Sequence, residues 1–152
     1  MTAIGTRLAT LDDLDAVAPL FDAYRQFYRQ TPDLPRARQF IEERLRRRES
    51  VLFVVETEAR GIVGFCQLYP TFCSVRAAHT YVLYDLFVTP EARGTGAGRA
   101  LMLAAEQHAV KTGAARLELS TARNNTVAQG LYESLGWQRD EAFFVYNKTV
   151  GS

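Results

Sequence analysis

A chain of 152 residues that is 47% apolar and 23% charged has the composition of one globular domain, 1–152, with an ordinary core, which excludes a disordered or fibrous protein. A formal net charge of +1 gives no overall pull toward nucleic acid or a membrane, although sixteen arginines stand against two lysines. The start, MTAIGTRLATLDD, lacks a basic head before a long apolar run, and VLFVV is too short to span a bilayer, so a cytoplasmic protein is expected.

In chain order, AIGTRLAT reads as a first strand. Thr10 then offers an N-cap hydroxyl with Asp13 three residues on, and Leu14, Val17, Leu20, Phe21, Tyr24 and Tyr28 follow helical spacing as far as TPDLP. A second helix, about Arg36 to Arg48, turns Phe40, Ile41 and Leu45 inward and ends in RLRRRES, a basic end that complements the helix dipole as a solvated face. SVLFVVETE and GIVGFCQLYPTF are joined by a short polar loop ending at Gly61, a hairpin signal, and HTYVLYDLFVTP is the next strand. GAGRALMLAAEQHAVKTG is an Ala- and Leu-rich helix stopped by Gly113, and ARLELSTA returns as a strand. NTVAQGLYESLGW is a short helix closed by Gly136, and AFFVYNKTV is a last strand. The order implies an α/β (α+β) fold: a mixed sheet with helices on both faces. Cys66 and Cys73 match neither a CxxC pair nor a metal pattern, so two reduced structural thiols are expected and no metal.

The most informative stretch is TPEARGTGAGRALM. Gly94, Gly96 and Gly98 follow a strand and open a helix, where consecutive backbone N–H groups and a positive helix end receive an anion, and Arg93 and Arg99 add charge. The Rossmann spacing would need glycine at Arg99, and no Gly-Lys-Ser/Thr ending supports a P-loop, so neither common nucleotide reading applies. A flexible turn capping a core helix is the bland alternative.

LFVTPEARGTGAG resembles the acetyl-CoA-binding segment of the GNAT superfamily of N-acetyltransferases, with its Arg-x-x-Gly-x-Gly core at Arg93, Gly96 and Gly98. NTVAQGLYESLGW resembles that superfamily's second signature, Asn-x-x-Ala-x-x-x-Tyr at Asn125, Ala128 and Tyr132, followed by Gly136 and Trp137. Together they cover residues 81 to 137. The resemblance implies a centrally splayed sheet and acetyl-CoA as co-substrate. It implies that the backbone of Leu86, Phe87 and Val88 pairs with the pantetheine arm, and that Arg93, Gly94, Thr95, Gly96, Ala97, Gly98 and Arg99 hold the pyrophosphate. It assigns Asn125 to the pantetheine and Tyr132 to the general acid beside the thioester sulfur.

Direct acyl transfer needs a neutral amine, a polarised carbonyl and a proton for the departing thiolate. A main-chain N–H near Leu86 or Phe87 suits the carbonyl. YDLFV otherwise resembles polyamine acetyltransferases, but Tyr84 stands where a glutamate usually precedes the aspartate. Strand alternation then sets Tyr84 and Asp85 on opposite faces, leaving as the base Asp85 through a water chain, a carboxylate from the first helices, or bulk solvent. His79 and His108 read as exposed or packed histidines. Tyr24, Phe27, Tyr28, Tyr69 and Tyr84 line a possible acceptor cleft, since aromatic faces attract ammonium, although the spacing of Tyr24 and Tyr28 is also that of a core stripe. The expected activity is transfer to a primary amine of a small molecule, peptide or protein. The rivals are a silent acyl-CoA-binding or regulatory module and, more remotely, a nucleic-acid binder through RLRRR. A homodimer is expected through the edge of AFFVYNKTV.

Overall fold

The computed structural model describes residues 3–151, in two units divided after Ser120. The first unit contains β1 (Ile4–Leu8), α1 (Leu14–Phe27), α2 (Leu34–Arg47), β2 (Val51–Thr57), β3 (Gly61–Cys73), β4 (Ala78–Val88), α3 (Ala97–Lys111) and β5 (Leu117–Glu118). The strands lie in the order β1-β2-β3-β4-β5, antiparallel throughout except for the parallel β4–β5 pair. Among the described residues no helix is long and apolar enough to cross a membrane.

Thr10 and Asp13 form the expected capping box, but around a single 3-10 turn, Leu11–Asp13, that leads into α1. Asp13 accepts from Thr10 N at 2.8 Å and takes both terminal nitrogens of Arg7 at 2.8 Å each, while Arg7 Nε donates to Glu56 at 3.0 Å. The Arg7 hydrogen bonds hold the Asp13 carboxyl below the usual carboxylate range. The helix start is thereby tied to β1 and β2. Helix α2 begins ahead of the expected Arg36 because Asp33 caps it, accepting from Arg36 N at 3.1 Å, and Asp33 N donates to Asp22 of α1 at 3.0 Å. Its basic end is not simply a solvated face: Arg44 folds over the Phe40 ring at 4.3 Å and pairs with Glu43 and Glu49.

Alternation along the strands sorts the core onto two faces. Leu52 and Val54 of β2, Phe65 of β3 and Phe87 of β4 pack with Leu14, Val17, Phe21 and Ile41 of α1 and α2. Residues of opposite parity meet α3: the Phe53 ring lies 5.6 Å from His108, and the Cys66 thiol donates to the Leu101 carbonyl at 3.8 Å. Val17, Ile41, Phe65 and Leu101 are fully buried, each contributing about 1.5–3 kcal/mol relative to exposure. Both cysteines are free thiols, and burial pushes the Cys66 thiol up to about 12.

Two expected strands change. ARLELSTA shrinks to β5, which pairs with β4 only at Tyr81↔Leu117 and Val82↔Glu118. Beyond Val82, β4 carries a bulge at Tyr84, and the parallel ladder is not continued among the described residues. In the second unit, α4 (Thr126–Ser134) forms as expected and closes through Gly136, at φ +90°, and a Trp137 N to Tyr132 O bond of 3.0 Å. AFFVYNKTV is not a strand. Within its own unit no other strand is described that could satisfy its backbone groups, and the homodimer loses the edge from which it was argued.

Candidate active site

The site is built around an irregularity in β4. Strands β3 and β4 pair Cys66↔Leu86 and Gln67↔Asp85, then Leu68↔Leu83, so Tyr84 is an extra residue in β4. A bulge of this kind breaks alternation and re-aims side chains. The Tyr84 ring meets Tyr69 edge-on at 5.7 Å, while Asp85 Oδ2 accepts from Gln67 Nε2 at 2.6 Å. Gln67 and Tyr69, two apart on β3, share a face, so Tyr84 and Asp85 are turned to that same face. This corrects the expectation that alternation separates them.

That face is covered by α1. Tyr24 packs its ring against Phe65 and Phe87, at 6.0 and 6.3 Å, and its hydroxyl donates to the Tyr84 carbonyl at 3.0 Å. Tyr28, half exposed, lies 5.1 Å from the Tyr24 ring. Tyr24, Tyr28, Tyr69 and Tyr84 are therefore one connected aromatic group beside Asp85; Tyr24 is both core packing and site wall. Phe27, also exposed, extends the group from Tyr28 at 5.3 Å.

Asp85 is 3% exposed. Burial raises its carboxyl above the ordinary value, opposed by hydrogen bonds from Gln67 and Tyr24 that favour the charged form. Burial and the nearby Asp85 charge likewise push the Tyr24 and Tyr69 phenols up. A carboxyl so placed is a stronger base than one in water. Gln67, fully buried, is held on its other side by Ser50, whose hydroxyl donates to Oε1 at 2.6 Å. Sequence reasoning passed over both residues; the signal was a lone amide inside the apolar run GIVGFCQLY.

At the far end of β4 the chain makes a 3-10 turn, Pro90–Ala92, and enters α3 through the glycines. Ala92 and Ala97 are buried and pin the turn, and Thr95 Oγ1 donates to Ala92 O at 2.5 Å. Gly94 and Gly96 have φ of +77° and +91°, values that suit glycine. The amides of Ala97, Gly98 and Arg99 precede the first α3 bond, Ala100 N to Gly96 O, and so lie at the positive helix end. Arg99 is exposed beside them. Arg93 is turned back instead, its Nε donating to Val88 O at 3.0 Å and its guanidinium over Phe87 at 5.7 Å. A Cβ added at Gly94 or Gly96 would meet no atom of the wider chain within 4 Å, and that open space fits a diphosphate cradle. Leu86, Phe87 and Val88 lie where β4 has run past its short ladder with β5, which fits strand-like pairing with an amide-bearing arm.

In the second unit Asn125 caps α4, its carboxamide oxygen accepting from Ala128 N at 3.3 Å, which leaves the amide nitrogen as its donor for other groups. The Tyr132 ring lies 6.2 Å from Trp137. His108 is packed between Phe53 and Tyr81 on the α3 face, and burial holds its imidazole below the ordinary value; the His79 ring stacks edge-on with Tyr81 at 4.6 Å. Among the described residues no group of three or more His, Cys, Asp or Glu is arranged to hold a metal ion.

A sequence profile of the Acetyltransferase (GNAT) family matches residues 14–137. The chain belongs to this family. It is 46% identical over 140 residues to YhfO, an uncharacterized N-acetyltransferase of Bacillus subtilis strain 168, covering 92% of this chain and 93% of that one. The crystal structure of a probable acetyltransferase superposes with a TM-score of 0.89 at 39% identity over 99% of both chains. An aminoglycoside N-acetyltransferase in complex with CoA shares the fold at a TM-score of 0.82 and 18% identity, over 99% of this chain and 97% of that one. The GNAT chain is thus an N-acetyltransferase with the mixed sheet and flanking helices of its family.

Proposed function

We propose that this GNAT enzyme, as one domain over residues 1–152, moves the acetyl group of acetyl-CoA directly to a primary amine of a small molecule, peptide or protein. The observation that carries the reading is the course of β4. It has no described ladder partner on its β5 side past Val82, bulges at Tyr84 to bring Asp85 under an aromatic wall, and ends in a glycine turn opening α3.

Bound acetyl-CoA supplies a thioester whose carbonyl carbon is the acceptor of the amine's electron pair. Backbone amides of the 93–99 turn hold the diphosphate, and Leu86, Phe87 and Val88 hold the arm as an added strand. A main-chain N–H of Leu86 or Phe87 polarises the carbonyl. The aromatic group of Tyr24, Tyr28, Tyr69 and Tyr84 receives the amine, and Asp85 accepts the proton it loses as the N–C bond forms, through water. Tyr132 would give its phenolic proton to the departing sulfur, the role the family resemblance implies for it. Asn125 and Ala128, at the start of α4, belong to the cofactor contacts. Tyr84 in place of a glutamate disfavours a polyamine as the acceptor.

A thiol-release assay with acetyl-CoA over polyamines, amino acids, aminoglycosides and peptides tests this. Amine-dependent release is expected. Acetyl-CoA binding with no release over the whole panel would instead support a silent binding module.

A further inference from the structure

Gln67 sits at a core-facing position of β3, following Val63 and Phe65 in alternation, yet it is a polar side chain with no exposed surface. A buried amide is tolerated only if its donors and acceptor are used, and replacing it together with its partner by apolar groups would be nearly neutral for stability. Fold stability therefore does not explain why this amide is paired with a buried carboxyl. We propose that Gln67, oriented by Ser50, is the positioning residue of the Asp85 base. The proposal rests on the reading of Asp85 as proton acceptor.

The bonds define how it works. A carbonyl oxygen only accepts, so the Ser50 hydroxyl at 2.6 Å from Oε1 must be the donor, and this turns the Gln67 NH₂ toward Asp85. Nε2 then grips Oδ2 at 2.6 Å, fixing the carboxylate plane and leaving Oδ1 to take the proton. Tyr24 supports the same charged state: its hydroxyl, which donates to the Tyr84 carbonyl at 3.0 Å, also lies within reach of the Asp85 carboxyl and favours its ionised form.

The titratable and charged groups around this carboxyl are Tyr24 and Tyr28 from α1, Tyr69 from β3, and Tyr84 from β4 itself. Arg44 of α2 and Glu49 beyond it act on Tyr69, and Cys66 lies on the opposite sheet face. Among the described residues no cation is ion-paired with Asp85, so the neutral amide of Gln67 is a principal support of its charged form.

The test follows the Asp85 side-chain carbon by ¹³C NMR across pH in the full chain, with the resonance assigned by Asp85→Asn. In Gln67→Leu the midpoint moves to higher pH, because a bond to the charged form is lost; Ser50→Ala moves it the same way by less. With the fastest acceptor among spermidine, L-lysine amide, 2-phenylethylamine and an aminoglycoside, kcat of Gln67→Leu falls about tenfold or more, while the KM for acetyl-CoA stays within about twofold. A midpoint unmoved in folded Gln67→Leu, or in Ser50→Ala should the first variant not fold, overturns the clamp. A moved midpoint with full turnover overturns the reading of Asp85 as base, and with it the purpose assigned to Gln67.

Discussion

Gly64 offers a test of how closely β3 and β4 must approach for the site to form. It pairs with Val88 across the two strands, and a Cβ there would stand 2.7 Å from the Phe87 carbonyl oxygen and 3.1 Å from both Val55 Cγ1 and Val88 Cγ2. Carbon and carbonyl oxygen settle at about 3.3 Å or more, so the strands would have to part by roughly 0.6 Å. The nearest atom is backbone, which no rotamer change can relieve. Overpacking of this kind costs about 1–3 kcal/mol. At about 2–4 °C per kcal/mol for a chain of this size, Gly64→Ala lowers Tm by roughly 2–12 °C. The displaced atoms belong to Phe87 and Val88, the stretch proposed to hold the pantetheine arm, so acetyl-CoA affinity falls as well. Calorimetric unfolding and titration calorimetry read both quantities. A variant with parental Tm and affinity would refute the close approach and the role of this stretch.

Gly96→Val should abolish stabilisation by acetyl-CoA, which for the parent at a hundredfold excess over Kd is about 2.7 kcal/mol, because Val resists the +91° φ and intrudes on the cradle; an undiminished Tm shift in the folded variant counts against the diphosphate assignment. Asp85→Asn should raise Tm at pH 8 and lower turnover about a hundredfold or more. The sign follows from burial raising the folded-state pKa: the penalty for the charged form is absent below the unfolded value of about 3.9 and complete above the folded one, so the Tm gain disappears in acid. A lower Tm at pH 8 would mean the charge is stabilising. Tyr132→Phe should cut turnover on the order of a hundredfold with acetyl-CoA affinity nearly intact, since the phenol is proposed to act only as the bond breaks. Parental turnover would reduce Tyr132 to a packing residue.

Local signals carried most of the fold. The Thr10–Asp13 box, the Gly61 loop and the Gly113 and Gly136 stops are encoded by residues within one turn of each other, and each appears where the spacing places it. What depends on pairing between distant segments was not visible. The bulge at Tyr84 exists only in the register of β4 against β3, so alternation set Tyr84 and Asp85 apart when they share a face. The short β5 is of the same kind, because the apolar pattern of ARLELSTA does not reveal how many of its residues find a partner on β4. AFFVYNKTV shows that strand propensity without a partner strand described in its own unit yields no strand. Within the site, the glycine turn and Asp85 could be named from sequence. Arg93 folding back onto Val88, and the support of Asp85 by Ser50 through Gln67, required coordinates.

Every role proposed above serves transfer of acetyl from acetyl-CoA to an amine at the β4 opening. That transfer is tested most directly by incubating the full chain with acetyl-CoA and the amine panel, recording thiol release and the mass of each amine. Thiol release should require an amine, one amine should gain a single acetyl group, and both signals should be lost in Gly96→Val. Thiol release at the same rate without any amine, or an acetylated amine formed equally well by Gly96→Val, would contradict it.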